Sequence, residues 1–305
     1  MVTGGHGFIG RHVVRRLGAV GATPISIAHP LGMVEDDLPG EVVRLDLEDY
    51  SVVARAMDGC DFAVHLAARA GGIQFQTEGG EDVFTNNRVV TDNVLRACVA
   101  NGVRRLFLAS SMVTYRSSEE PLTEDHPQLG TDDRPNPYAW SKITDEVVAH
   151  WYSDLEVVVG RFGNVYGPGA SFDPDRSTVV HALIDRAARR EDGDRLVVWG
   201  DGTAVRSFVF VEDAARAVSL ILEKGAGGEA YNIDGISETT VSELAELVRD
   251  AVNPSLELEF DRSKPAGAPY RVGSIEKLLA LGYEQQTDLA EGLGKTVRWY
   301  RSHVD

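Results

Sequence analysis

Tyr138 and Lys142, four residues apart in Pro-Tyr-Ala-Trp-Ser-Lys, have the types and spacing for proton transfer coupled to hydride transfer. On a helix a separation of four puts both on one face. A phenol ordinarily titrates near ~10. A neighbouring ammonium, together with the charge of an oxidised nicotinamide, stabilises the phenolate and lowers that value. The phenolate then takes a proton from a substrate hydroxyl as hydride leaves the carbon. Tyr-x-x-x-Lys also arises by chance, and an exposed Tyr/Lys pair is the plain alternative. Against that alternative, the pair follows an apolar stretch ending Leu108-Ala109-Ser110-Ser111-Met112, and the chain opens on Thr-Gly-Gly-His-Gly-Phe-Ile-Gly (3–10). In that turn Gly4 permits a tight bend, Gly7 lets a pyrophosphate approach the backbone, and Gly10 lets the next helix pack close to a sheet. The helix N-terminus offers free N–H groups to the phosphates.

An acid after the second strand often binds the adenosine ribose. Here that region reads Ile25-Ser26-Ile27-Ala28-His29-Pro30, without a carboxylate. This weakens a strict NAD preference. No Arg marks NADP there, which leaves His6 and His29 to face a 2′-phosphate. Asp46, in Asp46-Leu47 after the third strand, is the better local candidate for holding adenine; its alternative role is a helix N-cap.

The elements that must position these residues alternate. Met1 to Thr3 supplies only the end of a first strand, against a usual ~5–6 residues. Either that strand is short or residues are missing before Met1. Helix periodicity over 8–17 is followed by strands at 24–28 and 42–45, a helix at 51–58 and a strand at 62–66. A long helix over 82–101, a strand at 104–109, a helix over 137–152 and a strand at 156–161 complete the series. Such alternation implies βαβ crossovers and a buried parallel sheet. After Gly167 the pattern changes: helices near 177–190, 211–223, 241–252 and 289–302, with strands near 195–199 and 230–233. Residues 116–136 are acidic, polar and proline-punctuated, the composition of a surface loop.

Across 305 residues, 47 acidic side chains outnumber 30 basic ones, a formal charge of −17. Such a surface disfavours nucleic acid and anionic membranes. An anionic small substrate then needs a local cluster of Arg or Lys. Cys60 and Cys98 show neither metal spacing nor a disulfide framework, so no metal and a reducing cytoplasm are expected. No apolar run approaches the ~18 residues of a membrane span, and no export signal is visible at the N-terminus.

With these motifs in order, the sequence resembles the extended short-chain dehydrogenase/reductases, the group of NAD-dependent epimerases/dehydratases. The resemblance spans nearly the whole chain and rests on TGGHGFIG (3–10), DL (46–47), HLAA (65–68) and Asn87 with Thr91 and Asn93. It continues through SSMVTY (110–115), YAWSK (138–142), RFGNVYGPG (161–169) and RSFVFVEDAARA (206–217). It implies an α/β, doubly wound Rossmann sheet over 1–166 and 204–235, with a smaller, discontinuous substrate-binding lobe over 167–203 and 236–305. NAD or NADP would be held by Gly4, Gly7, Phe8, Ile9, Asp46, Leu47, Leu66, Ala67, Ala68, Asn87 and Ser110, with Tyr138 and Lys142. Ser111 would bond the reacting oxygen, with Ser110 as the alternative one residue away. Tyr138 would be the acid/base, and Lys142 would bind the nicotinamide ribose and tune Tyr138. The family's substrates are mostly nucleotide-diphosphate sugars. Ser111, Met112, Asn164, Arg206 and Arg271 would line their site, with Arg206 on a phosphate.

The later lobe is most similar to that of GDP-fucose synthase relatives, through HLAARAGGI (65–73), SFDPDRSTVVHALI (171–184), VVWGDGTAVRSF (197–208) and KPAGAPYR (264–271). Those enzymes epimerise with a Cys after the serines and a His in the lobe helix, where this chain has Met112 and Thr178, with His181 three residues on. Met112-Val113-Thr114 also replaces the Asp-Glu pair of sugar dehydratases. An NAD(P)-dependent epimerase acting through a keto intermediate at C4 is the first expectation, an NADPH-dependent 4-keto-sugar reductase the second, and a non-catalytic dinucleotide binder the third. Specificity is expected from loops 70–80, 116–136 and 168–176. Val89, Val90, Val94, Val147, Val148 and Trp151 exceed what one sheet face requires, and a homodimer through helices 82–101 and 137–152 is expected.

Overall fold

A computed structural model describes residues 1–35, 37–71, 80–133, 136–173, 177–264 and 267–304. The apolar runs of the first half pair as β1 (Val2–Thr3), β2 (Ile25–Ala28), β3 (Glu41–Arg44), β4 (Phe62–His65), β5 (Arg105–Ser111) and β6 (Glu156–Phe162). The seventh strand of this sheet, β10 (Ala230–Ile233), comes from much later in the chain. The order across the sheet is β10-β6-β5-β4-β1-β2-β3, and every pair is parallel.

Successive side chains of a strand face opposite ways. Phe107 and Val158 therefore join the core of Val13, Ala214 and Val218, while Leu106, Leu108, Val157 and Val159 join that of Val53, Val94 and Leu95. The first core lies under α1 (Phe8–Ala19) and α6 (Val211–Lys224). The second lies under α2 (Tyr50–Ala56), α3 (Gly80–Ala100) and α4 (Pro137–Ala149). A parallel sheet with both faces covered by helices is the doubly wound Rossmann arrangement.

The remaining elements form a third core around Leu183, Leu196, Leu244 and Leu293. It is built by α5 (Val179–Ala188), α7 (Val241–Val252) and α9 (Leu289–His303), with β8 (Arg195–Trp199) paired to β12 (Glu257–Asp261). Beside it β9 (Val205–Phe210) pairs with β7 (Asn164–Tyr166), β11 (Glu238–Thr240) and β13 (Tyr270–Arg271). The chain starts α7 with a reciprocal cap between Thr240 and Glu243. A short α8 (Glu276–Ala280) packs on β10.

The expected elements stand within a few residues of their places. β7, β9, β11, β12, β13 and α8 were not expected. β7, β11, β13 and α8 are too short for a period to show. Residues 72–79, 134–135 and 174–176 of the expected specificity loops, and 265–266 of the lobe match, lie outside the described residues. Val90 and Val94 are buried, contrary to their expected place on an outer face, whereas Val89, Val147 and Trp151 are exposed. Among the described residues no helix is long and apolar enough to cross a membrane.

Candidate active site

The strand order reverses between β1 and β4, and sheets of this kind bind ligands beyond the carboxyl ends of the strands at such a point. Gly4, at φ +66°, fills that corner: a Cβ on it would stand 2.9 Å from the Ala67 nitrogen. Gly7 donates its N–H to Gly4 O (2.9 Å) and begins α1 without a side-chain cap. A Cβ on Gly10 would stand 1.9 Å from Gly4 O. Turn, helix and strand end thus meet backbone to backbone, with uncapped N–H groups at the helix start, a cradle that fits a pyrophosphate. Leu66 donates its N–H to Thr3 O (3.2 Å), and Ala67 to Thr3 Oγ1 (3.4 Å), which pins the β4 exit against the turn. Ala68 is exposed, and Phe8 and Ile9 pack on the core.

Asn87 ties this corner to α4. Its Oδ1 accepts from Arg69 N (2.7 Å), and its Nδ2 donates to Arg69 O and to Ser141 Oγ (both 3.2 Å). Ser141 Oγ in turn donates to Tyr138 O (2.8 Å). Asp46 is exposed and accepts from Glu48 N (2.9 Å); Asp49, not Asp46, caps α2. Asn93 fixes the same loop by donating to Leu47 O and Glu48 O (2.9 Å each). His6 is not free for a 2′-phosphate: it is buried, with Nε2 3.1 Å from Ser26 Oγ and Nδ1 accepting from Glu35 N (3.2 Å).

The two serines at the end of β5 part ways. Ser110 is buried and donates to Glu146, which also accepts from Arg161 Nη2 (2.6 Å) and Gln128 Nε2 (3.0 Å). Arg161 continues to the Tyr115 hydroxyl (2.8 Å), and that to Asn232 Oδ1 (2.8 Å). Ser110 is thus committed to a buried network joining β5, α4, β6 and β10. Ser111 is part-buried: its Oγ accepts from Val113 N (3.3 Å), lies 3.5 Å from Phe162 O, and is near enough to the Tyr138 phenol to favour the ionised form. Asn136 caps α4 by accepting from Ala139 N, with Pro137 at the first helical position, so Tyr138 sits in the first turn. Burial pushes its phenol up to about 12, Ser111 opposing and the Asp145 charge adding. Lys142 is buried, with Nζ 3.6 Å from Asp145 Oδ2.

On the lobe side, Asn164 donates its side-chain amide to Ser207 O (3.0 Å), while its backbone N–H reaches Asp234. Asp234 is fully buried, bonded to Ser207 Oγ, Gly273 N and Gly235 N, and burial holds it up at about 6. Arg206 and Arg271 are directly opposed where β9 pairs with β13. Burial, and then the charge of Arg271, push Arg206 down to about 10; burial also lowers Arg271. Among the described residues no carboxylate offsets either. Arg206 donates only to the carbonyls of Val205 (2.7 Å) and Ala268 (2.5 Å). Two part-desolvated guanidinium groups without an acid have the chemistry of a diphosphate site.

Met112 is buried, clustered with Tyr115 and Leu122, and a Cβ on Gly273 would lie 2.9 Å from its sulfur. His181 is enclosed too. Its Nε2 accepts from Gly167 N (3.4 Å), its Nδ1 is 2.9 Å from Thr178 Oγ1, and its ring meets Phe8 and Phe172 edge-on. Burial pushes it down to about 4, so it is neutral near pH 7.

Residues 1–234 match the model of the NAD dependent epimerase/dehydratase family. The chain belongs to the NAD-dependent epimerase/dehydratase family. It is 32% identical to a dTDP-4-dehydro-6-deoxy-D-allose reductase of a Streptomyces species, covering 99% of this chain and 96% of that protein. It is 30% identical to a putative GDP-L-fucose synthase 2 of Arabidopsis thaliana, over 99% and 92%. Among solved structures, a Thermus thermophilus UDP-glucose 4-epimerase in complex with NAD superposes with a TM-score of 0.84 at 30% identity, over 99% of each chain. This epimerase/dehydratase is an enzyme, and its cofactor is NAD or NADP.

Sequence reasoning missed the buried polar and charged groups that support the site: the neutral His65 and the charges of Arg88, Asp145, Glu146 and Arg161. The signal present was acidic residues at 145 and 146 in a helix that is otherwise largely apolar after Lys142.

Proposed function

We propose that this epimerase/dehydratase moves hydride at C4 of a nucleotide-diphosphate sugar, as an epimerase acting through a 4-keto intermediate. The observation that carries the reading is Tyr138 in the first turn of α4, its phenol acted on by Ser111 at the β5 end, with Lys142 one turn further along the helix. The bound dinucleotide supplies the hydride acceptor and donor. Its pyrophosphate fits the Gly4–Gly10 cradle, and Asp46, Leu47, Leu66, Ala67, Ala68 and Asn87 border it. Ser111 orients the C4 oxygen. With the Lys142 ammonium and the charge of an oxidised nicotinamide favouring its phenolate, Tyr138 Oη would take the C4 hydroxyl proton as the C–H bond gives up hydride, and would return it when hydride comes back to the opposite face. Lys142 binds the nicotinamide ribose. Arg206 and Arg271 hold the diphosphate as a tether about which the keto sugar turns, with Asn164 beside it. Residues 1–166 and 204–235 carry the dinucleotide, and 167–203 with 236–305 carry the sugar nucleotide.

A second reading, reduction of a 4-keto sugar, is favoured by the missing carboxylate after β2 and by the 32% identical reductase. Inversion next to the keto group has little support, because Met112 carries no proton and His181 is enclosed and neutral.

Mass spectrometry of the small molecules released on denaturation identifies a retained cofactor. Interconversion of UDP-glucose and UDP-galactose, or of the dTDP sugars, with no net change at 340 nm supports the epimerase. Stoichiometric loss of NADPH with dTDP-4-keto-6-deoxyglucose supports the reductase instead. Tyr138→Phe should lower either rate about 10²–10⁴-fold. Unchanged activity would refute the chemistry and favour a non-catalytic dinucleotide binder. Val89, Val147 and Trp151, exposed on and beside α3 and α4, make a homodimer the proposed assembly. A monomer by light scattering at micromolar concentration would contradict it.

A further inference from the structure

Three ionic side chains are buried together where α3 meets α4. The Asp145 side chain is 0% exposed, that of Lys142 3% and that of Arg88 16%. Arg88 donates to Asp145 Oδ1, and Thr91 sits beside the same carboxylate. Oδ2 is buried without a hydrogen bond among the described residues, and Lys142 Nζ lies 3.6 Å from it. A buried ammonium is costly unless an anion accompanies it.

Polar contacts lead from the start of the chain toward Asp145. Thr91 Oγ1 lies 3.1 Å from His65 Nε2, beside the Asp145 carboxylate whose charged form it favours. Burial pushes His65 down to about 3, so the ring is neutral. Its Nδ1 lies 2.6 Å from Thr3 Oγ1. Thr3 Oγ1 accepts in turn from Ala67 N (3.4 Å). The contacts thus run from the residue preceding Gly4, through β4, to Thr91 on α3, beside the carboxylate facing Lys142.

We infer that Asp145 is a positioning residue: oriented by Arg88 and packed beside Thr91, its carboxylate holds the Lys142 ammonium on the Tyr138 face of α4. The geometry stands alone, while its catalytic meaning rests on the proposed role of Lys142 at the nicotinamide ribose.

Labelling with [13Cε]lysine tests the inference without a substrate. The chain has five lysines, and Lys142 is assigned by the signal lost in Lys142→Arg. A held ammonium gives two inequivalent Hε protons; a released one averages them. In Asp145→Asn, of unchanged shape, the Lys142 separation should fall by at least half while the other lysines stay put. NADH should bind about tenfold more weakly. An unchanged Lys142 separation, even in a protein that melts earlier, overturns the inference. If Asp145→Asn fails to fold, Arg88→Met/Asp145→Leu exchanges the pair for apolar side chains and gives the same readout. If the separation collapses but Lys142→Met binds NADH like wild type, the positioning stands and the assigned role of Lys142 falls.

Discussion

Arg271→Met should make the protein more stable and its binding of nucleotide sugars weaker. Arg271 faces Arg206 across β9 and β13, and among the described residues neither has an acid to offset it. The fall of Arg206 to about 10 corresponds to about 3 kcal/mol against its charged form. Solvent reaching this part-exposed side chain brings the penalty to about 1–2 kcal/mol. The sign follows from proton counting. Between about pH 10 and the ordinary guanidinium value the unfolded chain binds more protons, so stability rises with pH there; at pH 7 the penalty is present in full. Burial is the larger part of that penalty and stays with Arg206; removing the opposing charge, with Met retaining most of the side-chain bulk, relieves the smaller part and should raise the melting temperature by about 1–2 °C. Each charged hydrogen bond to a phosphate is worth about 1.5–3 kcal/mol, so Kd for UDP, dTDP or GDP and their sugars should rise about 10–100-fold. Arg206→Met should show the same loss of binding with little gain in stability, because the Val205 and Ala268 carbonyls lose their donor. Melting curves and calorimetric titration with the three diphosphates measure both quantities. An Arg271→Met protein that melts lower than wild type yet binds all three diphosphates equally well would show the pair to be structural.

Gly10→Ala places a carbon 1.9 Å from Gly4 O, and because the obstacle is backbone the turn must shift; a cost of about 1–3 kcal/mol and loss of NADH binding by fluorescence are expected. Ser110→Ala should lower the melting temperature with kcat nearly intact, since its partner is Glu146, whereas Ser111→Ala should lower kcat at least about 10²-fold at wild-type stability. The reverse outcome would exchange their roles. His65, pushed down to about 3, and His181, pushed down to about 4, are neutral when folded. On acidification below about pH 6.5 the unfolded chain takes up their protons first, so stability should fall from pH 6.5 towards pH 4, and His181→Gln should flatten that slope in melting curves.

Strand and helix periods were legible wherever an element buries one or both faces over several turns or residues. The strands 195–199 and 230–233 and the helix 241–252 stand at their expected bounds. Apolar alternation is the driving force that builds them. The missed β7, β11 and β13 have three, three and two residues and are made by their partners on β9, a non-local pairing that leaves no local pattern. Val90 and Val94 turned inward because a helix on a sheet buries more than one stripe.

The sequence by itself determined the glycine turn, the alternation that brings strand ends to one edge, and the Tyr138–Lys142 spacing, because these depend on backbone conformation and helical repeat. Only the tertiary structure decided which serine faces Tyr138, since adjacent strand residues differ only in which side meets Glu146. It also decided that Arg206 and Arg271, 65 positions apart, oppose one another, and that the phenol is raised by the protein's own environment. Burial and charge proximity set those properties, and both arise from contacts between distant segments.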